Sequence, residues 1–297
     1  MRKLLIGLAA VVVVLLAAVL VVPGLIDWNG YKPEIEAAAK QASGRDLRLE
    51  GDIGLSVLPS PSLSVEKVVF ANIPGGSVPE MARLEALRVH VALLPLLTGN
   101  VHVTSVTLVR PTVVLERTAD GRVNWEFPSG DPSAATSPDP AEPGAGDGGA
   151  PAVALDSAVV EGGTVIYRDA AAGSEHRIEN LDATVSAGGL QGPFEIDGSF
   201  AYQGLPVTLD GTVGALGGNG PSLVRVAFTA ADKALTATVD GKLDPAGPTG
   251  KPAFTGDARI EAPDLGRAVE RIATALGSAT ASPVAPGQAM VLTTTVA

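Results

Sequence analysis

The chain has 297 residues, with 21 Lys and Arg against 32 Asp and Glu, a net charge of -11 and no cysteine. That charge repels nucleic-acid phosphates and leaves no polybasic patch for an anionic membrane surface; without cysteine there are no disulfides, thiol nucleophiles or thiolate metal sites. Aromatic residues make up 4%, while 35 glycines and 23 prolines supply about a fifth of the chain, a balance that favours many short strands and turns over a helical bundle.

The chain opens on Leu4 to Val22, nineteen residues without a charge or a polar side chain, ending at Pro23-Gly24. As a helix this stretch spans about 28 Å, close to the hydrocarbon thickness of a bilayer. The alternative is a cleaved signal peptide, but the apolar run is longer than such a region needs and Val21 to Leu25 makes a poor cleavage site. Arg2 and Lys3 precede the span, so the amino terminus is expected in the cytoplasm and the bulk of the chain on the far side of the membrane, which in a bacterium with two membranes is the periplasm. Trp28 and Tyr31 stand where an interfacial aromatic belt would lie; the same pair also suits the start of a core helix.

A short helix is expected next, from the spacing of Tyr31, Ile35, Ala38, Ala39 and Ala42, with Pro33 in its first turn and Gly44 as its stop. The period then changes to two. Leu47, Leu49, Ile53, Leu55 and Val57 are apolar, and Asp46, Arg48, Glu50, Asp52 and Ser56 fall between them. This alternation predicts one strand of eleven residues with a wet face and an apolar face. Further strands are expected at 63–71, 86–93, 101–109 and 112–116, punctuated by prolines, with the apolar turn Leu93 to Leu97 plugging one end of the sheet.

From Pro128 to Pro151 the 24 residues include six prolines, five glycines and five alanines and no large apolar side chain. Such a segment buries too little surface to offset its ordering entropy, so 128–152 is expected to be a disordered linker. Its Gly144, Gly146 and Gly149 fit G-x-G-x-x-G, but no strand precedes them and no helix follows. Strands resume at 154–160, 164–168, 178–185, 194–201, 206–213, 223–229, 234–239 and 258–260, then a helix capped by Asp264 and a strand from 289 to 296 at which the chain breaks off, as a truncated sequence would. A shift of 52 residues aligns Ser105 with Ser157, Thr112-Val113-Val114 with Thr164-Val165-Ile166, and Gly121 with Gly173. The echo reads either as two hairpin-like units of one extended sheet or as coincidence in a Val- and Thr-rich sequence.

Catalytic chemistry has little to work with. His90, His102 and His176 stand singly, without a second histidine at metal-ligand spacing, so neither a metal site nor a cofactor is expected. No nucleophile elbow, P-loop or zinc-protease motif occurs. Pairs such as Glu50 and Asp52, or Asp120 and Glu126, are what solvated strand faces and turns carry. The chain does not read as an enzyme.

More than ten strands with one apolar face and only two short helices leave that face to be covered by a second sheet, as in a sandwich, or kept as a trough for hydrocarbon. A sixteen-carbon chain crossing water would cost about 12 kcal/mol at ~0.8 kcal/mol per methylene. In the trough reading Leu47, Leu49, Ile53, Leu55 and Val57 line the groove.

The apolar anchor followed by Ile26-Asp27-Trp28, then Ser43 to Ile53, Leu58-Pro59-Ser60-Pro61, Val69 to Gly75, Pro95 to Gly99, Leu108 to Pro111 and Asp120 to Trp125, resembles the amino-terminal module of the AsmA family. These motifs cover 1–127 in order; Leu155 to Asp169 and Gly211 to Leu216 resemble the next section of that family. The resemblance implies an inner-membrane-anchored periplasmic β-groove protein, similar to chorein-type bridge-like lipid transporters, that moves phospholipid toward the outer membrane and supports envelope biogenesis without catalytic residues. Family members are usually much longer and end in a carboxy-terminal region that is not found here.

The expected architecture is therefore mainly β: a tip and transmembrane anchor (1–26), then an elongated, curved antiparallel β-sheet groove with a few short helices. The groove divides into an amino-terminal module (27–127), the linker (128–152) and a second β-rich section (153–297). Its partners are phospholipid and membrane, with no nucleic acid; a scaffold for outer-membrane protein assembly, binding an envelope protein, is the alternative. If Leu4 to Val22 is retained as an anchor, the protein stays with the membrane pellet through carbonate and high-salt washes, and fractionation checks this; a soluble periplasmic form beginning near residue 24 would refute it.

Overall fold

The computed structural model describes residues 27–56, 60–93, 95, 102–127, 154–189, 191–216, 220–230, 233–244, 253–275 and 287–296. The apolar stretch Leu4 to Val22, Val57, most of the Leu93 to Leu97 turn and the whole linker, 128–152, lie outside them. Among the described residues no helix is long and apolar enough to cross a membrane.

A single 3-10 turn at Trp28–Tyr31 leads into helix α1 (Lys32–Ser43). Pro33 sits in the first turn of α1, and Gly44 closes it in the left-handed conformation, φ 71°. Strands follow as β1 (Leu47–Leu49), β2 (Ile53–Ser56), β3 (Ser62–Ala71), β4 (Glu80–Val91), β5 (His102–Val109) and β6 (Thr112–Arg117). The second section supplies β7 (Ala154–Asp169), β8 (Ser174–Ala187), β9 (Phe194–Tyr202), β10 (Leu205–Val213), β11 (Ser222–Ala230), β12 (Leu235–Asp244) and β13 (Ala253–Ala262). Helix α2 (Leu265–Ala275), capped by Asp264 through Arg267 N–H at 3.0 Å, precedes β14 (Met290–Val296).

All fourteen strands belong to one sheet, in the order β1-β3-β4-β5-β7-β8-β9-β10-β11-β12-β13-β14, with β2 on β3 and β6 between β4 and β7. Two expectations are corrected. The sheet is mixed rather than antiparallel throughout: β5 and β6 both run parallel to β7. A parallel neighbour requires a crossover of a dozen residues or more, and residues 118–153 are that crossover. The eleven-residue strand is two short ones, because the line of β1 and β2 carries one more residue than β3 opposite it: Leu49 faces Val68 while Ile53 faces Val65. The extra residue is accommodated at Gly51, where a Cβ would lie 2.6 Å from that of Glu66, and at Lys67, which adopts φ 49°.

The 52-residue echo is the register of the parallel seam itself. Ser105 faces Ser157, Thr112 faces Thr164, Val113 faces Val165 and Val114 faces Ile166. Gly121 and Gly173, each with positive φ, occupy the turns beyond the two units. The units lie side by side as two strand-and-turn pieces.

The outer edge at β1 and β2 is closed by side chains from the amino-terminal helices. Glu36 accepts from Leu49 N–H at 2.7 Å and Asn29 accepts from Ile53 N–H at 3.0 Å, so these two edge donors have partners and offer no template for a foreign strand. Beneath them Leu49, Ile53, Val65 and Val68 form the core cluster, with Trp28, Leu47, Leu63, Leu84 and Leu87 packed against it.

A second, polar knot fastens the loops at the start of the crossover. Asn124, fully buried, donates to the Val114 carbonyl at 2.7 Å and to Asn72 Oδ1 at 3.0 Å, and accepts from Glu116 N–H at 2.9 Å. Glu116, 3% exposed, accepts from Asn72 Nδ2 at 2.5 Å and from Ser77 N–H at 2.9 Å. Burial pushes the Glu116 carboxyl up, but the Ser77 hydroxyl and amide, the Asn72 amide and the nearby Arg168 charge outweigh it and hold the carboxyl below its ordinary value. Because the folded value is depressed, the stabilisation is complete above the ordinary 4.5 and fades as pH falls below it. Asn124→Ala should lower the unfolding free energy by about 2–3 kcal/mol, since it leaves buried partners unsatisfied. Glu116→Gln should flatten the loss of stability between neutral and acid pH; denaturant melts of the full chain in detergent at both pH values check the pair.

Candidate functional site

The site is a face of the sheet. On each strand alternate side chains point to one side, and the ladder registers decide which residues of different strands share a row. Starting at Ile53, the partners run through Val65, Leu87 and Leu108 to Val160 across the parallel seam. From Val160 they continue through Ala183, Gly198 and Leu209 to Phe228, and then Ala237, Ile260 and Leu292 on β14. No polar side chain interrupts this row from β2 to β14, a distance along the sheet of about 50 Å at ~4.8 Å per strand. The next row on the same face, from Leu55 and Leu63 through Val106, Val185 and Val226 to Ala258, is also apolar until Thr294. The row between them, on the opposite face, carries Ser64, Arg88, Thr107, Asp197, Asp210, Thr238 and Arg259.

Nothing described lies over most of this face. Every substantial contact between elements joins ladder neighbours or links the 3-10 turn and α1 to each other and to β1 and β2. Among the described residues all strands belong to one sheet, and no second sheet packs on it as in a sandwich. Burial follows. Ile53 and Val65 are buried under the amino-terminal cover, whereas Leu108, Val160, Leu209, Phe228 and Ile260 are only half-buried, and Leu292 is 55% exposed.

The sheet also has a transverse crease. Lys67 (φ 49°), Arg110 (φ 43°), Gly162 (φ 61°) and Asn180 (φ 51°) fall at neighbouring levels on β3, between β5 and β6, on β7 and on β8, where the ladders shift register. Gly162 N–H donates to Asp182 at 2.9 Å there. Bulges in line increase local twist and bend the strands together, and the two sides of the crease keep the apolar set on one face.

The sequence-predicted lining residues sit at the beginning of this face. Leu49 and Ile53 are buried in the core cluster, Leu47 and Leu55 are half-buried, and the even-numbered residues from Asp46 to Ser56 are exposed. Trp28 packs against the core cluster and stands 5.9 Å, ring to ring, from Tyr31, which is 50% exposed. Of the histidines, His102 bonds Asp156 and His176 bonds Tyr202, each at 2.7 Å. The sequence reading did not assign the rows on β9 to β13 to the groove lining, although the alternation in Phe194–Tyr202 and Leu205–Val213 carries the same signal.

A single sheet whose apolar face continues from β2 to β14 with no described layer over most of it presents a long open surface rather than an enclosed pocket. The AsmA family model matches residues 1–244, and the chain belongs to the AsmA family. AsmA family protein YhjG of Escherichia coli (strain K12) is 25% identical over 139 residues, covering 42% of this chain and 20% of that protein. The chain thus spans about a fifth of the length of that curated relative.

The uncovered face makes a stability prediction. Ile53→Lys places a charge in the core cluster and should cost about 3–5 kcal/mol, whereas Leu209→Lys, on the half-buried face, should cost under about 1 kcal/mol. Denaturant melts of the two variants check this; equal losses would mean that the face is covered in solution.

Proposed function

We propose that this chain is a non-enzymatic, inner-membrane-anchored periplasmic protein that shields phospholipid acyl chains in water and passes them toward the outer membrane, in support of envelope biogenesis. In this reading Leu4 to Val22 is the anchor and the apolar face is the conduit. The observation that carries it is the unbroken apolar row from Ile53 to Leu292 on a sheet with no described second layer. A free protein with such a surface is an aggregation hazard, and a long apolar patch of this kind ordinarily marks a binding surface. Laying hydrocarbon on it removes most of the cost of hydrating the chains, ~0.8 kcal/mol per methylene. Family membership agrees with an envelope role.

Lipid extraction and mass spectrometry of the protein purified in mild detergent test the reading. Phe228→Glu, on the apolar face, should lower the co-purified phospholipid at least about fivefold, because a charge on that face must be desolvated beside hydrocarbon. Thr229→Glu, one residue along on the opposite face, should leave it unchanged. Wild-type protein free of lipid, or equal loss in both variants, would overturn the proposal.

A further inference from the structure

The two rims of the apolar face, formed by opposite ends of the strands, differ in chemistry. At one rim lies a row of rings: Trp125 stands 6.1 Å from Tyr167, Tyr167 6.3 Å from His176, and His176 6.2 Å from Tyr202, centre to centre. Tyr167 faces Leu115 and His176 across the ladders, and Tyr202 faces Ile178, two residues along from His176, so these rings belong to the apolar face. His176 Nδ1 and the Tyr202 hydroxyl lie 2.7 Å apart, giving the row a polar element among its rings. In a chain with 4% aromatic residues this concentration is pronounced.

Two cations stand at the same rim. Arg117, next on its strand to share the face with Leu115, is about half exposed, and its guanidinium is 4.0 Å from Asp169. Arg45 is 8% exposed; it donates to Met81 Sδ and the Glu126 carbonyl, both at 3.0 Å, and lies 4.5 Å over the Phe127 ring. None of these described partners of Arg45 is a carboxylate, whereas Arg117 has Asp169 beside it. At the opposite ends of the strands the rim is lined by Ala187, Phe194 and Val213, and His102 is held there by Asp156.

Amphipathic rings settle where apolar and wet surfaces meet, and guanidinium groups favour phosphate. We infer that the rim running from Arg45 and Arg117 to Trp125, Tyr167, His176 and Tyr202 holds the phosphate-bearing head of a phospholipid whose chains lie across the apolar face. This rests on the lipid reading above and adds an orientation to it: heads travel along one rim only.

The absence of cysteine allows single-cysteine labelling of the full chain. Bimane would be placed at Leu205→Cys beside the ring row, at Val213→Cys on the opposite rim, at Val226→Cys in mid-face and at Thr208→Cys on the opposite face. Each is titrated with phosphatidylethanolamine carrying a nitroxide on its head, and with a phospholipid brominated in its acyl chain. The acyl probe should quench position 226 and not 208, and the head probe should quench 205 about threefold more than 213. Combining Arg117→Gln, His176→Ala and Tyr202→Ala, which alter only exposed or half-exposed groups, should bring that ratio to about one. Equal head quenching at both rims, or a ratio untouched by the triple variant, with acyl quenching at 226 intact, would overturn the rim assignment and leave the lipid reading standing. Acyl quenching at 226 no greater than at 208 would overturn the lipid reading, and the rim assignment with it.

Discussion

Hydrogen-bond register is the constraint on which the rest of this protein depends. A slip of one residue in any ladder would transfer that strand's whole apolar set to the wet side. The row from Ile53 to Leu292 would then be cut wherever the slip occurred. Where strands of unequal length must stay in step, the surplus residue is absorbed locally, at Gly51 and Lys67, at Gly162 and Gly163, and around Asn180. These irregularities preserve the continuity of the face while bending the sheet along one line. Their side chains need no chemistry of their own; the requirement falls on the backbone.

Stability is distributed unevenly around that frame. The amino-terminal end has an ordinary buried core, with Trp28 over Leu49, Ile53, Val65 and Val68, and two edge donors capped by Glu36 and Asn29. The Asn72–Glu116–Asn124 knot then fastens the loops where the chain leaves β6 for its crossover. Two segments that the family resemblance rests on, around Asn72 and around Asn124, are the ones this knot joins. The two asparagines bond each other and both bond Glu116, so the knot ties the two segments to β6 and to one another. Beyond β7 the sheet relies mainly on ladder hydrogen bonds and same-face neighbours, with most of its apolar side chains half in solvent and Ala230 and Ala262 buried.

That distribution leaves much of one face free of any described layer. A sheet buried on one side by a second layer gains its stability from that layer and has nothing left to offer a ligand. Among the described residues the cover lies mainly over the first strands, with Ala230 and Ala262 buried near the other end, and most of the face between is only half-buried. Membership of the AsmA family and the apolar stretch ahead of Trp28 agree with an envelope setting, and the proposed lipid role assigns the open face an occupant of matching chemistry.

The amino-acid sequence by itself determined the β class, the breaks at proline and glycine, both short helices with their caps, and the two-faced character of most strands. It could do so because each of these depends on residues close together in the chain: a period of two, a left-handed glycine, a capping carboxylate. Tertiary structure alone decided that Leu47 to Ser56 is two strands, since the surplus residue is defined only against β3. It also decided that β5 and β6 lie parallel to β7. The 52-residue echo was visible in the letters, but whether Ser105 and Ser157 are repeats or neighbours depends on a ladder formed across the crossover. The same holds for the open face. Alternation marks a side chain as apolar and outward or inward on its own strand; only long-range pairing places Phe228 in line with Ile53, and only the absence of a described opposing layer leaves that line uncovered.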